Sequence, residues 1–346
     1  MRIAFVGDIN LGTTTLPDGV PPDTGRGLLD AARPALVGDL VVGNFEGVLA
    51  DTGTSEKCDR MRARDARRRP ARTRRRQPPD SAAARPGCYA FRTPTALAPR
   101  LVDAGFTHLN LANNHANDYG AAGRASTERI LDSLGLRLYG PLGRIAIDTV
   151  RRGDGITTVA LLGFATYPYA YDLLDIARSV VVVDSLRPLV DLLIVTFHGG
   201  SEGARALHVR EAAESLGREP RGDLRRWARS VIDAGADAVV GHGPHVLRGI
   251  EYYGGKPVAY SLGNFVTYRG FNLSGPLGVT GVLQLEFAPD RRLQGARLVP
   301  MVQRPREGPA PDPERSALEL VRRLSADDFG EDGARIAPDG EISAPP

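Results

Sequence analysis

Strand-length apolar runs recur along the 346-residue chain, and one after another they stop at a polar residue. Residues 1–6 lead into Gly7-Asp8-Ile9-Asn10, residues 39–42 into Gly43-Asn44-Phe45-Glu46, and residues 106–111 into Ala112-Asn113-Asn114-His115. The most apolar run, 190–197, ends at His198-Gly199-Gly200, and 238–240 ends at Gly241-His242-Gly243-Pro244-His245. Continuous apolar runs bounded by turn residues predict strands buried on both faces. Helical periodicity fills the spaces between them. Residues 95–105 place Leu97, Leu101 and Val102 on one face, with Gly105 as the stop. Residues 123–135 set Ile130, Leu131 and Leu134 against Arg124, Glu128 and Arg129, and 224–235 form a third helix. Residues 148–155 read as a turn, 156–164 as a strand and 167–171 as an aromatic loop. Residues 257–265 read as a strand running into a turn, and 279–287 and 296–302 as antiparallel strands. Buried strands alternating with amphipathic helices predict an α/β fold. One domain is expected over 1–303, followed by a Pro- and acid-rich tail over 304–346 with one short helix near 317–324.

The polar stops are where the chemistry is expected. Open α/β sheets bind ligands at the carboxyl ends of their strands. Asp8 and Asn10, two apart, share a face in extended backbone. Glu46 buried as an acid is costly unless paired or metal-bound. An amide oxygen such as that of Asn114 binds hard metals, and His115 can ligate metal or transfer protons. His242 and His245 sit on a short stiff turn, in a chain with only six histidines. Any one of these could be a turn aspartate or an incidental histidine. Five such endings in order point to one centre. Carboxylate, amide and imidazole without thiolate suit Mn, Fe, Zn or Mg. The number of donors implies two divalent ions, about 3.5–4 Å apart. His108, alternating with apolar neighbours, reads as a satisfied core histidine. Ser261 or Asn264 is expected near the site.

Composition changes this picture in one place. The content, 42% hydrophobic and 25% charged, is ordinary for a globular chain, and no apolar run is long enough to span a membrane. The net charge is +3, but twelve basic residues between Lys57 and Arg85 face only Asp59, Asp65 and Asp80. That segment carries +9 and leaves the rest of the chain at −6, so the basic character belongs to an insertion and no specific nucleic-acid partner is expected. Residues 57–86 have no apolar periodicity and read as a disordered or extended insertion. It is a polyanion-binding loop, a solvated low-complexity loop, or a frame-shifted stretch of GC-rich coding. Nearly all basic residues are arginine; only Lys57 and Lys256 are lysine. Cys58 and Cys88 flank the insertion and could pair, which leaves the redox compartment open.

The order Gly-Asp, Asn-x-Glu, Asn-Asn-His, His-x-Gly, Gly-His-x-Pro-His and Ser-Leu-Gly-Asn-Phe resembles the CapA family, named for capsule and poly-gamma-glutamate synthesis. The resemblance covers about residues 1–300 apart from the insertion. It implies the fold of the calcineurin-like metallophosphoesterases, a four-layer α/β/β/α sandwich of the metallo-dependent phosphatase type with a dinuclear metal site. On that resemblance Asp8 binds one metal, and Glu46, or Asn44, stands in the bridging position. Asn114, His198 and His242 serve the second metal, His245 the first, and His115 faces the leaving group. Three departures weaken one metal position: Asn10 where phosphoesterases often carry His, Gly199 after His198 where relatives carry Trp, and Gly243 in place of a frequent third His.

The function expected is metal-dependent hydrolysis of a phosphoester or a gamma-glutamyl amide in poly-gamma-glutamate or capsule metabolism. Two rivals stand beside it: a non-catalytic accessory protein that binds an anionic polymer, and a general phosphoesterase acting on small phosphoesters. Partners follow as an anionic polymer or phosphoester, together with capsule-synthesis proteins. As it stands the sequence is expected to stay in the cytoplasm. With an export signal upstream of Met1 it would be exported or held at the cell surface.

Overall fold

The computed structural model describes residues 1–55, 57–59, 88–153 and 155–346. Of the insertion expected at 57–86, everything from residue 60 lies outside the described residues, and so does the test of its disorder. The first part of the chain builds the parallel strands of a large sheet: β1 (Arg2–Asn10), β2 (Leu40–Phe45), helix α1 (Pro99–Ala104), β3 (His108–Asn110), α2 (Gly120–Ser133) and β4 (Arg137–Tyr139). The middle builds a second sheet from β5 (Ala146–Arg152), β6 (Gly155–Ala165), α3 (Ile176–Leu186), β7 (Leu192–His198), α4 (Leu224–Asp233), β8 (Ala238–His242), β9 (Ile250–Tyr253) and β10 (Lys256–Ala259). The chain then returns to the first sheet with β11 (Asn264–Thr267), β12 (Val279–Phe287), β13 (Leu293–Gln303), α5 (Ser316–Phe329), β14 (Arg335–Ile336) and β15 (Glu341–Ser343). The sheet orders are β14-β15-β13-β12-β1-β2-β3-β4, with β11 also on β1, and β9-β10-β8-β7-β6-β5.

The alternation of side chains along each strand explains the layering. Ile3 and Phe5 of β1 and Leu40 and Val42 of β2 pack against Leu192 and Ile194 of β7 and Ala238 and Val240 of β8, which forms the core between the sheets. Ala4, Val6 and Val41, one residue out of phase, face Leu97, Leu101 and Leu131 on the helical side of the first sheet. Leu193, Val195 and Phe197 face Val183, Trp227 and Val231 on the helices of the second. The result is the α/β/β/α sandwich. Trp227, fully buried, anchors the outer helical layer, and its indole N–H donates to Ser179 Oγ at 3.0 Å. Truncating such a side chain to alanine costs about 3–5 kcal/mol.

Two local expectations change, and one helix is found where none was expected. Residues 148–155 are not a turn: β5 and β6 form an antiparallel hairpin that reverses at Gly153, where φ is 55°. β5 is an edge strand with alternating exposure, and its exposed Ile147 and its arginines disguised it. α3 follows the aromatic loop without a legible apolar stripe, because Val180–Val183 is a run of four β-branched residues. Its start is fixed by Asp175, whose carboxylate accepts from the Arg178 amide. In residues 304–346, α5 runs 14 residues and inserts Ala317, Leu318 and Val321 into the core between the sheets. β14 and β15 extend the large sheet. Among the described residues no helix is long and apolar enough to cross a membrane.

Candidate metal centre

Strand register builds the site. Parallel pairing sets Asp8 beside Asn44 and Asn44 beside Asn110 at the carboxyl ends of β1, β2 and β3. In the second sheet β7 and β8 set His198 beside His242. A register shift between Phe5 and Asp8 bends the end of β1, as bulges do. The turn that leads from β10 to β11 then joins the two sheets beside Asp8. The Asp8 amide donates to Gly263 O at 2.9 Å, and a Cβ on Gly7 would fall 1.9 Å from that same oxygen. Only glycine admits this approach. Asn264, paired with Asp8 in register, donates to the carbonyl of His245 at 3.1 Å. That bond braces His245 in a left-handed backbone, φ 60°, which costs a non-glycine residue about 1–2 kcal/mol.

Asp8, Glu46, His115, His198, His242 and His245 come together, Asn44 joins them in a different way, and of Asn114 the structure shows a buried, unpartnered Oδ1. Asp8 is 1% exposed; its Oδ2 lies 2.9 Å from His245 Nδ1 and its Oδ1 3.7 Å from His242 Nδ1. Glu46 Oε1 lies 3.9 Å from the Nε2 atoms of His115, His198 and His245 alike. Asp8, Glu46 and His198 each offer a donor atom within 4.8 Å of the others, a group that could hold a metal ion. Both carboxylate oxygens of Glu46, Oδ1 of Asn114, Nε2 of His198 and Nδ1 of His242 are buried without a hydrogen-bond partner. Asn44 is different. Its Oδ1 accepts from Asn110 and Asn113, both at 3.1 Å, and its amide donates to Asp8 Oδ1 at 2.9 Å. Its polar atoms are spent within the protein, so of the two candidates for the bridging position Glu46 has the free oxygens.

The departures noted in the sequence have local causes. Asn10 donates to Glu46 O at 2.9 Å and accepts from the Gly12 amide at 3.1 Å, so it ties down the backbone that carries Glu46. Gly243 has φ 112°, and a Cβ there would lie 2.6 Å from Gly199 O. No third histidine fits at that position. His108 is the core histidine expected, held between Thr107 and Asp148 at 2.8 and 2.7 Å.

Four participants were not assigned roles from sequence. Asp118, fully buried, accepts from His115 Nδ1 at 2.7 Å and from the Phe91 amide at 2.8 Å. Lys57 donates to its other oxygen at 2.8 Å. Arg221, fully buried, donates to Gly200 O and Tyr167 Oη and stands 2.9 Å from Glu202, whose carboxylate is 3.9 Å from His245. The only sequence signal was the spacing from His115 to Asp118; the others meet across 58 residues or more or through a loop.

Burial and charge set the protonation states. Burial alone would raise Asp8, but the hydrogen bond and charge of His245, the charge of His242 and the Asn44 bond hold it below the usual carboxylate range. Glu46 is pushed well up, first by burial and then by the charge of Asp8. Burial pulls His242 down to about 4 and, with Arg221, pulls His198 well below the usual imidazole range. His245 resists burial: the charges of Glu46 and Asp8 raise it to about 10. Burial also lowers His115, against the opposing charge of Asp118.

Fold and site together define an α/β/β/α sandwich with a buried cluster of carboxylate, amide and imidazole donors gathered from strand ends of both sheets. The chain belongs to the family described as bacterial capsule synthesis protein PGA_cap, whose sequence model matches residues 74–269. It is 33% identical over 188 residues to the PGA biosynthesis protein CapA of Bacillus subtilis (strain 168), covering 49% of this chain and 45% of that protein. It is 31% identical over 189 residues to the capsule biosynthesis protein CapA of Bacillus anthracis, covering 49% and 42%. The chain thus spans about half the length of the curated relatives it matches. A solved 5'-nucleotidase precursor from Thermus thermophilus aligns with a TM-score of 0.44 at 13% identity, over 94% of this chain and 58% of that one.

Proposed function

We propose that the chain is a metal-dependent hydrolase of capsule or poly-gamma-glutamate metabolism, cleaving a phosphoester or a gamma-glutamyl amide. One observation carries the reading: five buried donor atoms on Glu46, Asn114, His198 and His242 have no partner inside the protein. Buried polar atoms left unsatisfied cost about 1–3 kcal/mol each, and a divalent ion satisfies them. Asp8, Glu46, Asn114, His198, His242 and His245 would hold two such ions. Their donor chemistry fits Mn, Fe, Zn or Mg, and both cysteines are tied up in a Cys58–Cys88 disulfide.

Divalent ions bound here would supply a low-pKa water and neutralise charge on a developing oxyanion. The chain's own residues do the rest. Asn44, anchored by Asn110 and Asn113, orients the Asp8 carboxylate. Asp118 fixes His115 by Nδ1, which leaves Nε2 facing the interior, placed to give a proton to a leaving group. Phe91 and Phe271 stack on each other at 4.8 Å and wall the histidines, with Phe91 4.4 Å from the His115 ring and Phe271 5.0 Å from that of His245. The family supports an anionic polymer as substrate context and capsule-synthesis proteins as partners. A disulfide persists in oxidising compartments, which supports export over cytoplasmic residence.

The test is metal analysis joined to a hydrolysis screen. The purified protein is expected to hold metal and to show Mn-dependent turnover of a phosphoester or of gamma-glutamyl polymer. His242→Ala should strip the metal; unchanged metal content would sink the ligand assignment. Polymer binding by a protein with neither metal nor turnover would make it an accessory protein instead.

A further inference from the structure

Lys57 is one of two lysines among 44 basic residues, and its half-buried side chain reaches the fully buried Asp118 beside His115. Its ammonium donates to Asp118 Oδ1 at 2.8 Å and lies 3.5 Å from His115 Nδ1. Asp118 Oδ2 is taken by His115 and by the Phe91 amide. The carboxylate is therefore held from both ends, and besides His115 itself each hold comes from a chain segment next to a cysteine. Lys57 immediately precedes Cys58, and Phe91 follows Cys88 by three residues. The disulfide Cys58–Cys88 joins these two segments. Ser55 adds a further tie: its Oγ donates to Asp118 O at 2.9 Å and accepts from the Cys58 amide at 3.2 Å. Cys58 itself packs on Val48, Ala50, Ala90 and Tyr119. Two residues before His115, Asn113 O accepts from Tyr169 Oη at 2.5 Å, so the opposite side of this loop is pinned as well.

We propose that Lys57, tethered by the Cys58–Cys88 disulfide, is a positioning residue that fixes Asp118 and through it the His115 imidazole. Hydrolysis as the activity rests on the function proposed above; the positioning itself does not. Asp118 is fully buried, so removing Lys57 leaves one of its oxygens without a donor. The carboxylate then has a reason to turn toward other partners, and His115 loses its fixed orientation. Lysine suits the place because a compact ammonium fills one contact, where a planar guanidinium would need space for its fork. Opening the disulfide removes the tether and leaves the same ammonium to compete with solvent, so it should reproduce part of the effect.

The test compares Lys57→Met, Lys57→Arg and the double variant Cys58→Ser/Cys88→Ser with the unaltered chain, all loaded with zinc. The first readout is the ring signal of His115 in nitrogen-15 histidine spectra, assigned by its loss in His115→Ala. Lys57→Met should shift or broaden the Nδ1–H resonance, and the double serine variant should do so more weakly. The second readout is leaving-group dependence. Lys57→Met should lose at least about tenfold more kcat on ethyl phosphate than on 4-nitrophenyl phosphate, because only the poorer leaving group needs the proton. If only gamma-glutamyl amides turn over, the ethylamide and the 4-nitroanilide make the same comparison. KM and metal content should stay close to those of the unaltered protein, and Lys57→Arg should recover little. An unmoved His115 resonance in a folded Lys57→Met protein would overturn the proposal. So would equal losses on the two substrates. A protein that binds zinc but hydrolyses nothing would defeat the proposed activity and leave the resonance to decide the role of Lys57.

Discussion

His115 and His198 come from opposite sheets and stand at the same 3.9 Å from Glu46 Oε1. Their surroundings differ, and on the function proposed above the difference gives them different work. His115 has its Nδ1 on Asp118 and its ring against Phe91, so one nitrogen is anchored and the other is presented. Burial lowers it, but the charge of Asp118 opposes the shift and favours a proton. His198 has no carboxylate behind it. Its Nδ1 lies 3.4 Å from the Asn44 amide, its Nε2 is without a partner, and burial together with Arg221 and the neighbouring histidines drives it toward the neutral form. On the function proposed above, the neutral imidazole of His198 with its unused lone pair serves a metal, and His115, held by Asp118 with its ring against Phe91, serves as the proton carrier.

The sharpest way to break this contrast is to delete each ring. His198→Ala should lower metal affinity at least about 100-fold and take hydrolysis with it. His115→Ala should keep its metal and lose about 10²–10⁴-fold in kcat on substrates with poor leaving groups. Metal content by mass spectrometry and turnover on the same preparations check both. If His115→Ala sheds metal as readily as His198→Ala, the two histidines do the same job and the contrast fails.

The sequence made one half of that contrast legible. Strands buried on both faces are continuous apolar runs, so a polar residue at their ends stands out, and Asp8, Glu46, His198 and His242 could be read one by one. What sits behind each histidine was hidden. Asp118 was in plain view three residues after His115, but no rule ties that spacing in a loop to a contact. Lys57 looked like the first charge of a basic insertion. Arg221 reaches the site from a four-residue strand, Glu219–Gly222, paired with Glu214–Leu216 and too short and polar to stand out in the sequence. Asn44 was readable as a ligand because an amide at a strand end looks the same whether its atoms are free or spent. The fold class was read correctly, and the elements that escaped the reading did so for related reasons. β5 is half exposed and α3 has no polar face in its valine run, so neither carries the periodicity that marks a buried element. The strands β14 and β15 are two and three residues long and gain their meaning only by pairing with β13.

A smaller effect tests the electrostatics. Burial would discourage a proton on His245, but Glu46, Asp8 and Glu202 outweigh it and raise the group to about 10. A metal needs the neutral ring, so loading at neutral pH must release that proton. Apparent affinity should then rise at least about tenfold per pH unit between 6.5 and 8, and more steeply wherever Glu46 also gives up a proton. Proton release on adding zinc in weak buffer, followed with an indicator dye, measures it. Uptake that is independent of pH over this window would show that His245 is already neutral before metal arrives.

The smallest predicted effect concerns what the site costs the fold. Glu46 has a folded pKa well above its ordinary value near 4.5, from burial first and the charge of Asp8 second. For an acid raised in this way, the native state binds the proton more tightly than the unfolded chain. Stability is then highest below 4.5 and falls as pH rises toward the folded pKa. Glu46→Gln mimics the protonated form at nearly the same shape. In metal-free protein at pH 7 it should raise stability by ~1 kcal/mol, roughly 1–3 °C in Tm for a chain of this size, and the gain should vanish near pH 4. The loss of Coulomb attraction to His245 keeps it modest. With zinc bound the sign should reverse, because the carboxylate is then a ligand. Melting curves at two pH values, with and without zinc, give four numbers for this one substitution. A Gln variant less stable than the parent in metal-free protein at pH 7 would mean that Glu46 is held by partners within the protein and has no need of an ion, which would remove a main support for placing metal among Asp8, Glu46 and His198.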